Sequence, residues 1–193
     1  MNLLEAMRII TDKYHNQIMG QKRKYTGEKY TVHTNAVEQA YGEYAPKDIV
    51  GRAAAEANDL FEDTTITENL LIKELNNLGI IDEYEIYAVI TLIQELSDVY
   101  TKEKYPNLKR QERKRLENER LATVSYKAQE IKIFDLEDNT KSIVEYDKKF
   151  ARVYLVEKWN LLQVLTKANP VLLERAKAQT VLNFKYLNIP FPV

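Results

Sequence analysis

The stretch "EANDLFEDTTITENLL", residues 56–71, decides how the rest of the chain is read. It puts a carboxamide, Asn58, and three carboxylates, Asp59, Glu62 and Asp63, on about one and a half turns of an expected helix. At about 100° per residue, Asn58, Asp59 and Glu62 share one face and Asp63 lies at its edge. Leu60 and Phe61 beside them suit a core. One reading is a solvated acidic helix end, where Asp63, Thr64 and Thr65 merely stop the helix. The other is a site, because acids near a helix C-terminus oppose its dipole and call for something to offset them.

The bulk numbers narrow the setting. At 193 residues with 45% hydrophobic content, the chain can bury one core, and a single domain over 1–193 is expected. Lys+Arg number 28 against 29 Asp+Glu, a balance that gives no push towards nucleic acid or a membrane. There is no Cys, which excludes disulfides and thiolate metal sites. The start, "MNLLEAMRII", lacks the apolar run of a signal peptide or membrane span, so a soluble cytoplasmic protein is expected. Only 5 Gly and 5 Pro occur, too few for the many turns of a sandwich or barrel. "NLLIKELNNLGII" and "YAVITLIQELSDVY" repeat apolar residues at helical spacing, and an all-α multi-helix bundle follows.

The spacing predicts a first helix over 2–18 and a basic loop, "GQKRKYTGEKYTVH". A second helix opens after Thr34 or Asn35 and closes near Tyr44, before Pro46. Helices over 47–61 and 68–78 follow, the latter capped by Thr67. Another runs from Asp82 or Glu83 to about 103, where Pro106 breaks it. The charged run "LKRQERKRLENERLA" resumes as helix, continuing over 122–143, 148–167 and 170–185. The tail "NIPFPV" reads as an extended strap.

Two further groupings carry chemistry. His33, one of two histidines, stands just ahead of a helix, and Gln21, Lys22, Arg23 and Lys24 upstream make a cationic loop. That loop is either a solvated turn or a phosphate clamp. In "AQEIKIFDLEDNTKSI", Lys132, Asp135 and Asn139 share a face at i, i+3, i+7, with Ile131, Phe134 and Ile143 for the buried side. An Asp among apolar residues is costly to bury unless paired or bound to a metal.

In order and spacing the three pieces resemble the RelA/SpoT-type alarmone hydrolases. "GQKRKYTGEKYTVH" is similar to that family's R-K-x-x-G-E-P-Y-x-x-H, and "AAAEANDLFEDTTIT" to its A-x-L-H-D-x-x-E-D-T-x-x-T. The run from "DVYTKEKYP" to "IKIFDLEDNTKSI" resembles its T-D-V…L-P-K-x-x-R-K…I-K-x-A-D-x-x-x-N-x-x-x-I. The likeness spans about residues 14–145 and is nearest to the small single-domain members, the small alarmone hydrolases and the metazoan SpoT homologue. It implies an HD-domain phosphohydrolase bundle that removes a 3′-diphosphate from (p)ppGpp with a divalent metal. Carried over, the metal positions are His33, Asn58, Asp59 and Asp135, and Glu62 and Asp63 manage the attacking water. Arg23 and Lys24 match the phosphate-contacting pair, and Asn139 the nucleotide contact. Lys109, Arg113 and Lys114 are weaker phosphate candidates. His15 is not a ligand position in this likeness.

The departure is Asn58, where the family has the His of its His-Asp pair. A carboxamide oxygen is a hard, weaker ligand than imidazole, which moves preference from Zn²⁺ or Fe²⁺ towards Mn²⁺ or Mg²⁺ and lowers affinity. Two functions remain open: a weakened phosphohydrolase, or an inactive HD-fold protein that binds a phosphorylated nucleotide. The expected partner is that small molecule, with a homo-oligomer left open. The basic run is interleaved with Glu112, Glu117 and Glu119, which favours a salt-bridged solvated helix over nucleic-acid binding.

Overall fold

Asn2 and Glu5 close a reciprocal capping box at the first helix, each side chain accepting the other's backbone N–H at 2.9 Å. From there the computed structural model describes residues 1–191 as two compact units, Met1–Ser97 and a second that begins at Asp98. Among the described residues all regular structure is helical apart from an isolated bridge between Lys22 and Lys29. No helix among them is long and apolar enough to cross a membrane.

In the first unit, α1 (Leu3–Thr11) runs on into a π-helical stretch, Asp12–Ile18, so the expected extent of 2–18 is met with a widened second half. Then come α2 (Thr31–Tyr44), α3 (Ile49–Glu56), α4 (Leu60–Asp63), α5 (Glu68–Asn77) and α6 (Glu83–Leu96). Helix α3 packs against α1, α2 and α6. Its Ala53, Ala54 and Ala55 are fully buried, which lets three neighbours approach its backbone from different sides.

Three boundaries differ from the sequence expectation. Helix α2 begins at Thr31, because Val32 N–H bonds Lys29 O and His33 N–H bonds Tyr30 O, starting the coil early. His33 therefore lies inside the first turn rather than ahead of it. The helix expected over 47–61 is two helices, with Ala57 (φ −108°, ψ 20°) and Asp59 (φ −101°, ψ 5°) leaving helical geometry between them. The helix expected to reach about 103 ends at Leu96, where Ser97 turns extended (φ −66°, ψ 131°).

The second unit holds α7 (Arg110–Leu121), α8 (Tyr126–Tyr146), α9 (Lys148–Leu162) and α10 (Pro170–Tyr186). Each of the last three starts on a side-chain cap, from Ser125, Asp147 and Asn169. Helix α8 packs on α9 and α10, and α7 on α9. Buried Gln129 ties the unit together: its Nε2 donates to Leu121 O (2.8 Å), and its Oε1 accepts from Lys167 N (2.8 Å) and Ala168 N (3.2 Å). The tail lies on α9 and α10 as far as Phe191, whose ring stands 4.6 Å from Trp159 and 5.6 Å from Phe184. The rest of the expected strap, Pro192 and Val193, falls outside the described residues.

Gly51 shows how tightly α2 and α3 meet. A Cβ there would stand 2.6 Å from Tyr41 Oη and closer still to Asp48 Oδ2, the two atoms that hydrogen-bond each other across the α2–α3 turn. A helical Gly→Ala exchange ordinarily gains about 0.5–1 kcal/mol. Gly51→Ala is expected to lose stability instead, read as a lower urea midpoint at unchanged slope.

Candidate functional site

The acidic stretch gathers its carboxylates on the short helix α4 and the residue that precedes it. Asp59, at the N-cap of α4, and Asp63 stand one turn apart, with Asp63 N–H bonded to Asp59 O, and both carboxylates reach one hydroxyl, that of Tyr30, at 2.7 and 2.9 Å. Asp59 Oδ2 also stands 3.4 Å from His33 Nε2, from the first turn of α2. Glu62 is exposed. The face expected on one continuous helix, Asn58 with Asp59 and Glu62, is thus replaced by a grouping of Asp59, Asp63, Tyr30 and His33.

The proton count at Tyr30 is instructive. A phenol carries one hydrogen, yet two carboxylates lie within bonding distance of its oxygen. Burial, and then the neighbouring Asp59 and Asp63, push the phenol's pKa upward, so it keeps that proton. Burial, followed by the charge of Asp59, also raises the Asp63 carboxyl. The bonds balance when Asp63 is protonated and donates to Tyr30, which donates in turn to Asp59.

His15 backs this group. Its ring stacks on Tyr30 at 4.7 Å and 15°. Gln21 Nε2 donates to the Asp63 carbonyl at 2.5 Å, which turns Gln21 Oε1 towards His15 Nδ1, also at 2.5 Å. An amide oxygen only accepts, so Nδ1 carries the hydrogen, and in the neutral ring Nε2 is left as the lone pair. That nitrogen is buried with no hydrogen-bond partner. Asn58 is 3% exposed, and neither its Oδ1 nor its Nδ2 has a partner. Beneath, Glu56 is buried, accepts from Thr34 Oγ1 at 3.1 Å, and is pushed up to about 8 by its burial.

The cationic loop forms a small hairpin. Arg23 N–H bonds Glu28 O and Gly27 N–H bonds Arg23 O, with Gly27 at φ +71°, where a side chain would be strained. Arg23 is half-buried. Lys24 is exposed, with its ammonium 4.8 Å from the Tyr25 ring centre.

In the second unit, Lys132, Asp135 and Asn139 share a face of α8 as the spacing predicts. Lys132 Nζ lies 2.9 Å from Asp135 Oδ2, and Asn139 Nδ2 donates to Asp135 Oδ1 at 2.7 Å. They line a cavity of about 160 Å³ with Asp98, Lys114, Tyr154 and Lys158. Burial drives Asp98 upward, but Lys132 and Lys114 outweigh it and hold its carboxyl below the usual range. Lys158 is 1% exposed, donates to Thr140 Oγ1 at 2.8 Å, and burial lowers its ammonium to about 8.

Sequence reasoning passed over Tyr30, Asp98 and Lys158, took Gln21 only as part of the cationic loop, and set His15 aside as a ligand. Tyr30 had a signal: it precedes His33 by three residues, one helical turn. Lys158 had none, since a lysine among apolar residues of a long helix reads as an ordinary surface cation.

The donor set of the first unit suits a hard cation only in part. It offers one imidazole, the Asp59 carboxylate and the unpartnered oxygen of Asn58. Among the described residues no group of three or more His, Cys, Asp or Glu is placed to hold a metal ion.

Among the described residues the fold is all-α, and it is shared with a solved structure. A solved structure of a metazoan ortholog of SpoT, which hydrolyses ppGpp and plays a role in starvation responses, matches with a TM-score of 0.72 over 98% of each chain, at 22% identity. No family model matches the chain, and no curated protein matches it.

Lys158 sets a test of cavity electrostatics. Its folded pKa lies below the ordinary 10.5, so its burial penalty is full below about 8 and is relieved as pH rises from there. Relative to Lys158→Met, the wild-type protein is expected to gain roughly 1–3 kcal/mol between those pH values, measured from urea midpoints.

Proposed function

We propose that this protein is a divalent-metal-dependent phosphohydrolase that removes the 3′-diphosphate from a guanosine nucleotide of the (p)ppGpp type. The observation that carries this reading is the grouping of His33, Asp59, Asp63 and the unpartnered Asn58 carboxamide, in a chain with the fold of a ppGpp-hydrolysing protein. His33, Asn58 and Asp59 are the residues of the first unit that would hold the ion, of which Mn²⁺ or Mg²⁺ best matches the oxygen-rich set. When bound, such an ion activates water and neutralises charge on the phosphate.

The chain's own groups supply the remainder. A water oxygen bonds to the phosphorus attached at O3′, the P–O3′ bond breaks, and diphosphate leaves as O3′ takes up a proton. Asp63, Tyr30 and Asp59 form a hydrogen-bonded row able to hold and pass one proton, with Glu62 at its solvent side. Arg23 and Lys24 of the first unit would clamp the diphosphate.

A second reading, binding without turnover, is favoured by Asn58 itself, which lacks the ligand strength of an imidazole. One experiment separates the two: diphosphate release from ppGpp with Mn²⁺, by the wild-type protein and by Asn58→His. Turnover by the wild type, with an apparent Mn²⁺ affinity that rises at least about tenfold in Asn58→His, is the expected result. Thermal stabilisation by ppGpp with no release from either protein would establish the binder. Tyr30→Phe is expected to lower kcat by about 10²-fold while leaving ppGpp stabilisation intact, because it breaks the proton row and not the phosphate contacts.

A further inference from the structure

Between Lys73 and Lys102 the sequence has no lysine, arginine or histidine, but it holds Glu74, Asp82, Glu83, Glu85, Glu95 and Asp98. The start of α6 lies within this acidic span. Asp82 caps it by accepting from Tyr84 N at 2.9 Å and Glu85 N at 3.2 Å. Helical spacing puts Ile86, Val89, Ile90 and Ile93 on its buried side. The opposite stripe carries Tyr84, 89% exposed, and Tyr87, 57% exposed, with Ile81 just ahead at 78%. Three large apolar side chains in water beside Asp82, Glu83 and Glu85 make an acidic, tyrosine-bearing ridge. Tyrosine is well suited to such a role, giving large amphipathic contact area with few rotors to freeze.

The second unit has a surface of complementary character. Helices α7 and α9 border an open groove of about 1080 Å³. Val153, Val156 and Val164 supply its apolar lining, and Lys109, Arg110, Arg115 and Arg152 stand among its polar residues. Five cationic side chains line it against three anionic ones; Arg110 and Arg115 pair with Glu157 and Glu119 there, and Lys114 with Asp98, so its surplus charge rests on Lys109 and Arg152. Val153 is 49% exposed on that lining.

We infer that this chain associates with a second copy of itself head to tail, the ridge at the start of α6 in one copy seating in the α7–α9 groove of the next. The ridge brings aromatic and aliphatic surface with negative charge, and the groove brings aliphatic surface with positive charge. Matched potentials of this kind fix register and speed encounter. The two patches differ, so the contact is heterologous and leaves one ridge and one groove unfilled unless the assembly closes. Lys114 and Glu157 line both the groove and the cavity that holds Asp135, so a seated ridge covers residues shared with that cavity. The inference does not depend on the proposed catalytic function.

The test uses full-length protein in sedimentation experiments over a concentration series at low and high salt. The ridge variant is Glu83→Lys/Tyr84→Lys and the groove variant is Arg115→Glu/Val153→Glu, all at exposed positions, with folding checked by circular dichroism melts. The wild type is expected to form dimers or larger species that weaken at least about tenfold as salt rises. Each variant alone is expected to be monomeric. An equimolar mixture is expected to restore a one-to-one pair, because each variant keeps the half that the other lacks. A monomeric wild type at all concentrations would overturn the inference. So would variants that associate as the wild type does, or a mixture that stays monomeric, either of which would assign these surfaces to some other partner or ligand.

Discussion

The first unit depends on the close approach of α3 to three neighbours. Its small side chains, Gly51 and Ala53 to Ala55, let α1, α2 and α6 pack against the helix backbone on different sides. Asn58 and Asp59 follow directly on the end of this helix. Three polar groups at the same level, Thr34, Glu56 and His33, are buried with it and form part of the site's floor. A larger residue in α3 would therefore disturb the core and the site through the same displacement.

The two units handle buried charge in opposite ways. Around Tyr30 the first unit crowds carboxyl groups, and burial pushes Asp63 and Glu56 towards their protonated forms. Around Asp135 the second unit gathers cations, so Lys132 and Lys114 hold Asp98 ionised, while burial lowers Lys158 towards neutrality. Neither is a cheap arrangement for folding, since each leaves groups far from their preferred protonation state.

Much of this was legible beforehand. Helical spacing gave the all-α class, and i, i+3, i+7 spacing gave the Lys132–Asp135–Asn139 face, because both follow from one local period. What stayed hidden is non-local or depends on a break. The single helix expected over 47–61 put Asn58, Asp59 and Glu62 on one face, whereas α4 starts afresh from Asp59, pairs it with Asp63 one turn on, and leaves Glu62 exposed. No periodicity reports such a break when the residues involved, Ala57, Asn58 and Asp59, tolerate helix. His15 was set aside because it lies far upstream in sequence, yet a stacked ring and one glutamine bring it against Tyr30 and the Asp63 backbone.

Asn58 is the residue on which sequence and structure press hardest. A buried carboxamide with no partner costs about 1–3 kcal/mol, and such groups in folded proteins call for a reason. Its neighbours along the chain are well satisfied, so a poorly packed turn is not that reason: Leu60 is fully buried and Asp59 is bonded to Tyr30. A neutral imidazole also has one donor and one acceptor, but they sit on separate ring nitrogens, whereas a carboxamide carries its acceptor Oδ1 and its donor Nδ2 on one carbon. Both groups of Asn58 can therefore meet the same polar ligand, which a ring with its N–H turned away does not offer. The exchange gives up ligand strength and brings donor and acceptor to one point, which is a reason for a buried carboxamide with no partner inside the chain.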